Sequence, residues 1–222
     1  MKTNRWLPFL CAWALLGLPA VADEQRPTGD EAIQRLMDGN ERHFAKKFIH
    51  PDQWEVQRAE VAKVQHPFAI VLGCSDSRVP PEIIFDQGLG DLFVIRVAGN
   101  IVDPAVLGSI EYAAEHLESP LVMVLGHERC GAVAASVKGG EAPGHLQALV
   151  TPIKPAVQLA RKQKGDLLDN AVRANIRLVV DQVRTSQPTL AHLVHEGRLK
   201  VVGARYDLDT GRVEVLEPVK GR

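Results

Sequence analysis

The chain has 222 residues, with 26 basic and 27 acidic side chains, 8 histidines, a net charge of −1 and 45% hydrophobic residues. That near-neutral balance gives no electrostatic case for a nucleic-acid or anionic-membrane partner. The apolar content is that of a folded domain, not of a disordered chain.

Residues 1–22 read as a secretory signal peptide. Lys2 and Arg5 precede an uncharged apolar stretch from Trp6 to Val21, and Ala20-Val21-Ala22 offers a small-x-small cleavage site before Asp23-Glu24. The apolar stretch is short for a membrane span. Cleavage after Ala22 leaves residues 23–222 as one soluble domain with 24 basic and 27 acidic side chains, net −3. Its home is then periplasmic if the source has two membranes, and secreted otherwise. Cys11 goes with the leader, leaving Cys74 and Cys130, an even pair that in an exported chain first suggests a disulfide.

Beyond a polar lead, Asp30 opens an amphipathic helix with Ile33, Leu36 and Met37 at helical spacing, running to about Phe44. Residues 46–56 read as irregular, and Val56 to Val64 as a short helix. The centre alternates strand and helix. Pro67 to Leu72 is a buried strand ending at Gly73-Cys74, and Pro80-Pro81 suits the first turn of a helix to Phe85. A second strand, Leu92 to Ile95, closes at Ala98-Gly99-Asn100, and Pro104 to Leu117 forms a helix. The third strand, Leu121 to Leu125, ends at Gly126-His127, with a helix over 131–137. Residues 145–163, 165–186 and 189–196 give three more helices. A C-terminal β-hairpin follows: Leu199 to Tyr206, a turn at Asp209-Thr210-Gly211, and Val213 to Leu216. Strands apolar on both sides and separated by helices predict an α/β fold with a mainly parallel central sheet flanked by helices.

Two short motifs carry the chemistry: Cys74-Ser75-Asp76-Ser77-Arg78 and His127-Glu128-Arg129-Cys130. Both fall at the carboxyl ends of predicted parallel strands, where open α/β sheets build ligand sites. Cys74, His127 and Cys130 give a Cys₂His set suited to tetrahedral zinc with one position open to water or to Asp76. Gly73 and Gly126 permit tight turns at the strand ends. Zinc lowers the pKa of its water and yields hydroxide near neutral pH. Asp76 is the candidate to orient that hydroxide, with Arg78 holding Asp76 ionised by a charge-assisted pair.

The two motifs at this spacing resemble the β-class carbonic anhydrases. So do Gly88-Leu89-Gly90-Asp91-Leu92-Phe93-Val94 and Arg96-Val97-Ala98-Gly99-Asn100 between them. The resemblance runs from about Ala32 to Tyr206 and, with the leader, is to an exported bacterial-type member. It implies one catalytic domain over 23–222 and one zinc ion per chain on Cys74, His127 and Cys130. Asp76 and Arg78 would be the catalytic dyad, and the reaction reversible hydration of carbon dioxide to bicarbonate and a proton. It also implies a homodimer or a dimer of dimers with the active-site cleft at the dimer interface. Some family members close when the aspartate moves onto zinc, as Asp76 would here, and bicarbonate at a separate site favours that state. Those members carry a tryptophan where this chain has Val71, while Gly73, Val79 and Arg96 match.

Two other functions use the same residues. One is hydrolysis of a carbon dioxide analogue, carbonyl sulfide or carbon disulfide, on identical ligands. The other is a non-enzymatic zinc or thiol-redox protein switching Cys74 and Cys130, which has no use for Asp76 and Arg78. Elsewhere, His192 and His195 beside Glu196 read as a solvent-facing helix end. His43, His50, His66, His116 and His145 are scattered candidates for proton shuttling. Glu128 and Arg129 read as loop charges, Asp86 and Asp91 as turn residues around a glycine-rich segment.

Overall fold

The computed structural model describes residues 26–49 and 55–216. The leader, His50 and Trp54 lie outside them. Helix α1 (Gly29–Phe44) starts at a capping box in which Thr28 and Glu31 satisfy each other's backbone N–H groups. It buries Ala32, Leu36 and Asn40, the stripe that Ile33, Leu36 and Met37 announce. Helix α2 (Glu55–Val61) leads into strand β1 (Ala69–Gly73), the short helix α3 (Pro81–Ile84) and strand β2 (Leu92–Arg96). A tight turn at Ala98–Asn100 then gives way to α4 (Pro104–Glu111).

The helix expected to reach Leu117 instead loosens into a π-helical turn over Tyr112–His116. Strand β3 (Leu121–His127) extends two residues past its expected end and includes the histidine itself. Helix α5 (Gly131–Lys138), α6 (Leu146–Ala160), α7 (Leu167–Arg184) and α8 (Thr189–His195) follow, then strands β4 (Lys200–Tyr206) and β5 (Val213–Leu216). Helix α6 continues through Pro152 and Pro155. Each removes one ladder hydrogen bond, offset by a face that buries Val150, Ile153, Ala156, Val157 and Ala160.

The sheet runs β2-β1-β3-β4-β5, parallel throughout except for the β4–β5 hairpin. All of β1 and β3 is buried, as expected for central parallel strands covered on both faces. Helix α7 packs on β3 and β4, with α5 and α6 against it, while α1 packs on β3 and α3. Gly126 is required by this packing rather than by a turn. A Cβ there would lie 2.5 Å from Cδ1 of Ile176 on α7, far inside any real contact. Gly73, for which a turn role was also expected, would meet only Pro81 at 3.7 Å. Among the described residues a hydrophobic cluster spans Ala32 to Leu216. No helix among the described residues is long and apolar enough to cross a membrane.

Candidate metal centre

Register alignment brings the two motifs together. Gly73 at the end of β1 pairs with Leu125 of β3. Cys74 therefore leaves its strand beside His127, and Cys130 lies three residues on, at the residue before α5. The three side chains are buried, and their ligand atoms all lie within 4.8 Å of one another.

The two thiols are free, with Sγ atoms 3.9 Å apart. That separation is far from a disulfide bond. It matches the edge of a tetrahedron with metal–sulfur distances of about 2.3 Å, which is about 3.8 Å. His127 donates from Nδ1 to the carbonyl oxygen of Glu128 at 2.9 Å, leaving Nε2 with its lone pair. That Nε2 is buried and has no hydrogen-bond partner among the described residues, a costly arrangement unless something binds there. The donor set thus fits zinc. Its backbone partner on Nδ1 is the kind that fixes ring orientation in metal sites.

The hydrogen bond from Cys130 holds the Cys74 thiol down to about 4, against the effect of burial. Sharing that contact with Cys74, and then burial, pushes Cys130 upward. The two sulfurs thus differ, Cys74 favouring the thiolate and Cys130 the thiol. The Cys74 sulfur also accepts the backbone N–H of Gly99 at 3.3 Å.

Asp76 stands apart from the ligand set and is engaged by Arg78. The guanidinium donates from Nε to Oδ1 at 2.9 Å and from Nη2 to Oδ2 at 2.7 Å, and the Arg78 backbone N–H adds a third bond to Oδ1 at 3.0 Å. The Arg78 side chain holds the Asp76 carboxyl well below the usual carboxylate range, with burial acting against it. Asp76 Oδ2 is 3.8 Å from His127 Nε2. The carboxylate is thus held ionised beside the Cys74, His127 and Cys130 group and is paired with its arginine.

Several groups shape the site through contacts that the two motifs do not announce. Arg96, at the end of β2, donates to the carbonyls of Cys74 at 2.9 Å and Asp76 at 2.6 Å, clamping the first motif. Asn175 on α7 donates to the Gly99 carbonyl at 2.9 Å, holding the turn that reaches Cys74. Glu128 and Arg129 do more than decorate a loop. Arg129 forms a two-pronged pair with Asp209 at 2.9 and 2.7 Å, and Glu128 accepts the Leu208 N–H at 3.3 Å. Together they strap the ligand loop to the β4–β5 turn. Asp86 sits in a turn as expected, at φ +45°, and is also buried and paired with Arg42 at 2.6 Å. Asp91 behaves as expected, accepting the Gly88 N–H at 2.8 Å. Among the histidines, His66, His116, His145, His192 and His195 are exposed, and His192 pairs with Glu196. His43 is half-buried against Tyr206.

A carbonic anhydrase family profile matches residues 69–213. A carbonic anhydrase of Mycolicibacterium smegmatis is 43% identical over 188 residues, covering 83% of this chain and 91% of the relative. The chain belongs to the β-carbonic anhydrase family. A carbonic anhydrase of Synechococcus elongatus is 31% identical, covering 82% of this chain and 70% of its own. Among solved structures, the Coccomyxa β-carbonic anhydrase in complex with acetazolamide superposes with a TM-score of 0.67. It is 31% identical, covering 73% of this chain and 78% of that one. A β-carbonic anhydrase of Sordaria macrospora, described as tetrameric, gives 0.66 at 26% identity, covering 84% and 94%. In this β-carbonic anhydrase the motif residues that carry the resemblance are the ones the fold gathers at the sheet's carboxyl edge.

Proposed function

We propose that the chain catalyses reversible hydration of carbon dioxide to bicarbonate and a proton at one zinc ion held by Cys74, His127 and Cys130. Zinc, when bound, lowers the pKa of a water it holds and so supplies a nucleophile near neutral pH. The chain's own residues do the rest. Asp76, kept ionised by Arg78, presents Oδ2 toward the ligands and accepts the reacting water's hydrogen bond, fixing its orientation. Arg96 fixes the backbone carbonyl of Asp76, so the carboxylate is aimed from both ends. A mainly apolar cavity of about 480 Å³, with Lys138 and Glu141 also in its lining, begins at Ala98 and Gly131, neighbours of Gly99 and Cys130. Its walls, Ala132, Ala135, Leu149 and Val150, suit an uncharged substrate.

The observation that carries this reading is the paired Asp76–Arg78 beside a buried, unpartnered His127 Nε2. A thiol switch needs neither. Stopped-flow carbon dioxide hydration on zinc-loaded protein tests it. The expected result is rapid turnover lost on chelation, and a drop of about 100-fold or more in Asp76→Asn with zinc retained. Full activity in Asp76→Asn would sink the mechanism, and turnover of carbonyl sulfide without carbon dioxide hydration would move the activity to the analogue.

Export rests on the leader pattern alone, and a mature N-terminus at Asp23 in intact-protein mass spectrometry is its test. A homodimer or dimer of dimers is supported by the half-exposed edge strand β2, with Leu89 and Tyr112 exposed nearby. It is also supported by the tetrameric description of the Sordaria relative. Sedimentation of the mature protein decides it.

A further inference from the structure

At the opposite end of the sheet from the metal ligands, a second cavity lies between α7, the start of β4 and the end of β5. Strand β4 enters beside it at Lys200 and leaves at Tyr206, paired with His127. The cavity holds about 290 Å³, small for a ligand site. Its walls are aliphatic: Val180, Val201, Val215 and Leu216.

Three cations line it, Arg177, Arg184 and Lys200, against one carboxylate, Asp181. Their commitments differ. Lys200 is engaged by Asp30, and Arg184 donates from Nη2 to the Val201 carbonyl at 3.1 Å. Arg177 has a buried Nε that meets no acceptor among the described residues. Asp181 lies one helical turn from Arg177, where an ion pair is readily made, yet the two are not paired. A guanidinium N–H taken from water without an acceptor is expensive. A guanidinium presents its N–H groups as a fork that matches a carboxylate. The aliphatic side chains that share the lining with it offer a surface for an apolar body.

We propose that this cavity is a binding site for a carboxylate with a short aliphatic body, its head on Arg177 and its tail against Val180, Val201 and Leu216. The site is separate from the zinc chemistry and stands whether or not that reading holds. A free short-chain acid and the head of a longer acyl lipid share this chemistry. A chain-length series distinguishes them, since affinity for the first peaks and then falls once the tail outgrows the cavity.

The probe is octanoate, titrated calorimetrically into the full mature holoenzyme, with octylamine, octanol and acetate as controls. Octanoate should bind saturably at one site per chain, and each control should bind at least about tenfold more weakly. Arg177→Gln should lose about tenfold or more in affinity, with zinc content and carbon dioxide hydration unchanged. Arg177→Lys, which keeps the charge and loses the fork, should fall between. Equal binding of octanol, or full octanoate affinity in a folded Arg177→Gln, overturns the proposal. So does absence of octanoate binding to the wild type; a lower assembly mass in Arg177→Gln would then make the cavity a contact between copies.

Discussion

Gly99 joins the fold to the metal centre, and replacing it with alanine separates the two contributions. Its φ is +76°, where a side chain costs about 1–2 kcal/mol. The added Cβ would lie 2.8 Å from Cδ1 of Ile153 and 3.1 Å from Cβ of Ala132. Ile153 is fully buried, and Ala132 has no side chain to rotate, so neither neighbour gives easily. Overpacking of this kind costs about 1–3 kcal/mol. The sum is about 2–5 kcal/mol. Because the Gly99 N–H donates to the Cys74 sulfur, a displaced turn should also weaken zinc about 10-fold or more. Urea unfolding at fixed free zinc reads the first quantity from the midpoint at unchanged slope, and competition with a chromogenic chelator reads the second. Gly131→Ala is the control: it sits in the neighbouring ligand segment at ordinary φ, with nothing within 4 Å of the added Cβ. It should stay within about 0.5 kcal/mol of wild type. A Gly99→Ala midpoint indistinguishable from that of Gly131→Ala would refute the packing argument.

Two further predictions concern the charges around the ligand loop. Burial pushes the Asp169 carboxyl up, but its bonds to Arg173 at 2.8 Å and Arg205 at 2.6 Å win, and its folded pKa lies below the ordinary value. A depressed carboxylate adds stability above its unfolded pKa of about 3.9, lost as pH falls toward the folded one. Asp169→Asn should therefore cost about 1–3 kcal/mol at pH 7, with the gap to wild type closing below about pH 4. A gap independent of pH, read from urea unfolding, would show that the charge is not the cause. Asp209→Ala releases the strap on Arg129. Both side chains are exposed, so stability should move by no more than about 1 kcal/mol. Turnover should nonetheless drop a few-fold as the Glu128–Cys130 segment loosens; unchanged turnover and zinc affinity would reduce the strap to surface decoration.

Residue type made the ligands legible. Thiols and an imidazole directly after apolar runs announce themselves, and parallel pairing converts two strand ends into one place. The Asp76–Arg78 pair is two residues apart and needs no fold to be seen. What stayed hidden acts through backbone groups. The carbonyl of Glu128 sets the His127 tautomer, the N–H of Gly99 reaches a sulfur, and Arg96 and Asn175 grip carbonyls. Any residue supplies a carbonyl, so no letter marks the position. The pairing of Asp86 is invisible in the sequence because its partner Arg42 is 44 positions away. Glu128 and Arg129 looked like loop charges because the hairpin turn that receives them comes about 80 residues later. The same limit explains the π-helical turn at Tyr112–His116, since apolar spacing predicts a helical face but not how its last turn is wound.

The two cysteines pose the sharpest choice, because in an oxidising compartment a pair of thiols drifts toward a disulfide. Their geometry opposes it. The sulfurs stand 3.9 Å apart and must approach to about 2.05 Å to bond, while Cys74 is held at its carbonyl by Arg96 and at its sulfur by Gly99. A disulfide would have to close that gap, whereas a cation would use it as it stands. Metal ligation removes the free thiolate that exchange requires. Zinc-loaded protein should accordingly retain both thiols through hours in oxidised glutathione, counted by alkylation and mass spectrometry after denaturation. Metal-free protein should lose them, and adding zinc first should protect it in proportion to occupancy. Equal loss with and without zinc would mean that the fold, and not the metal, sets the redox fate of Cys74 and Cys130.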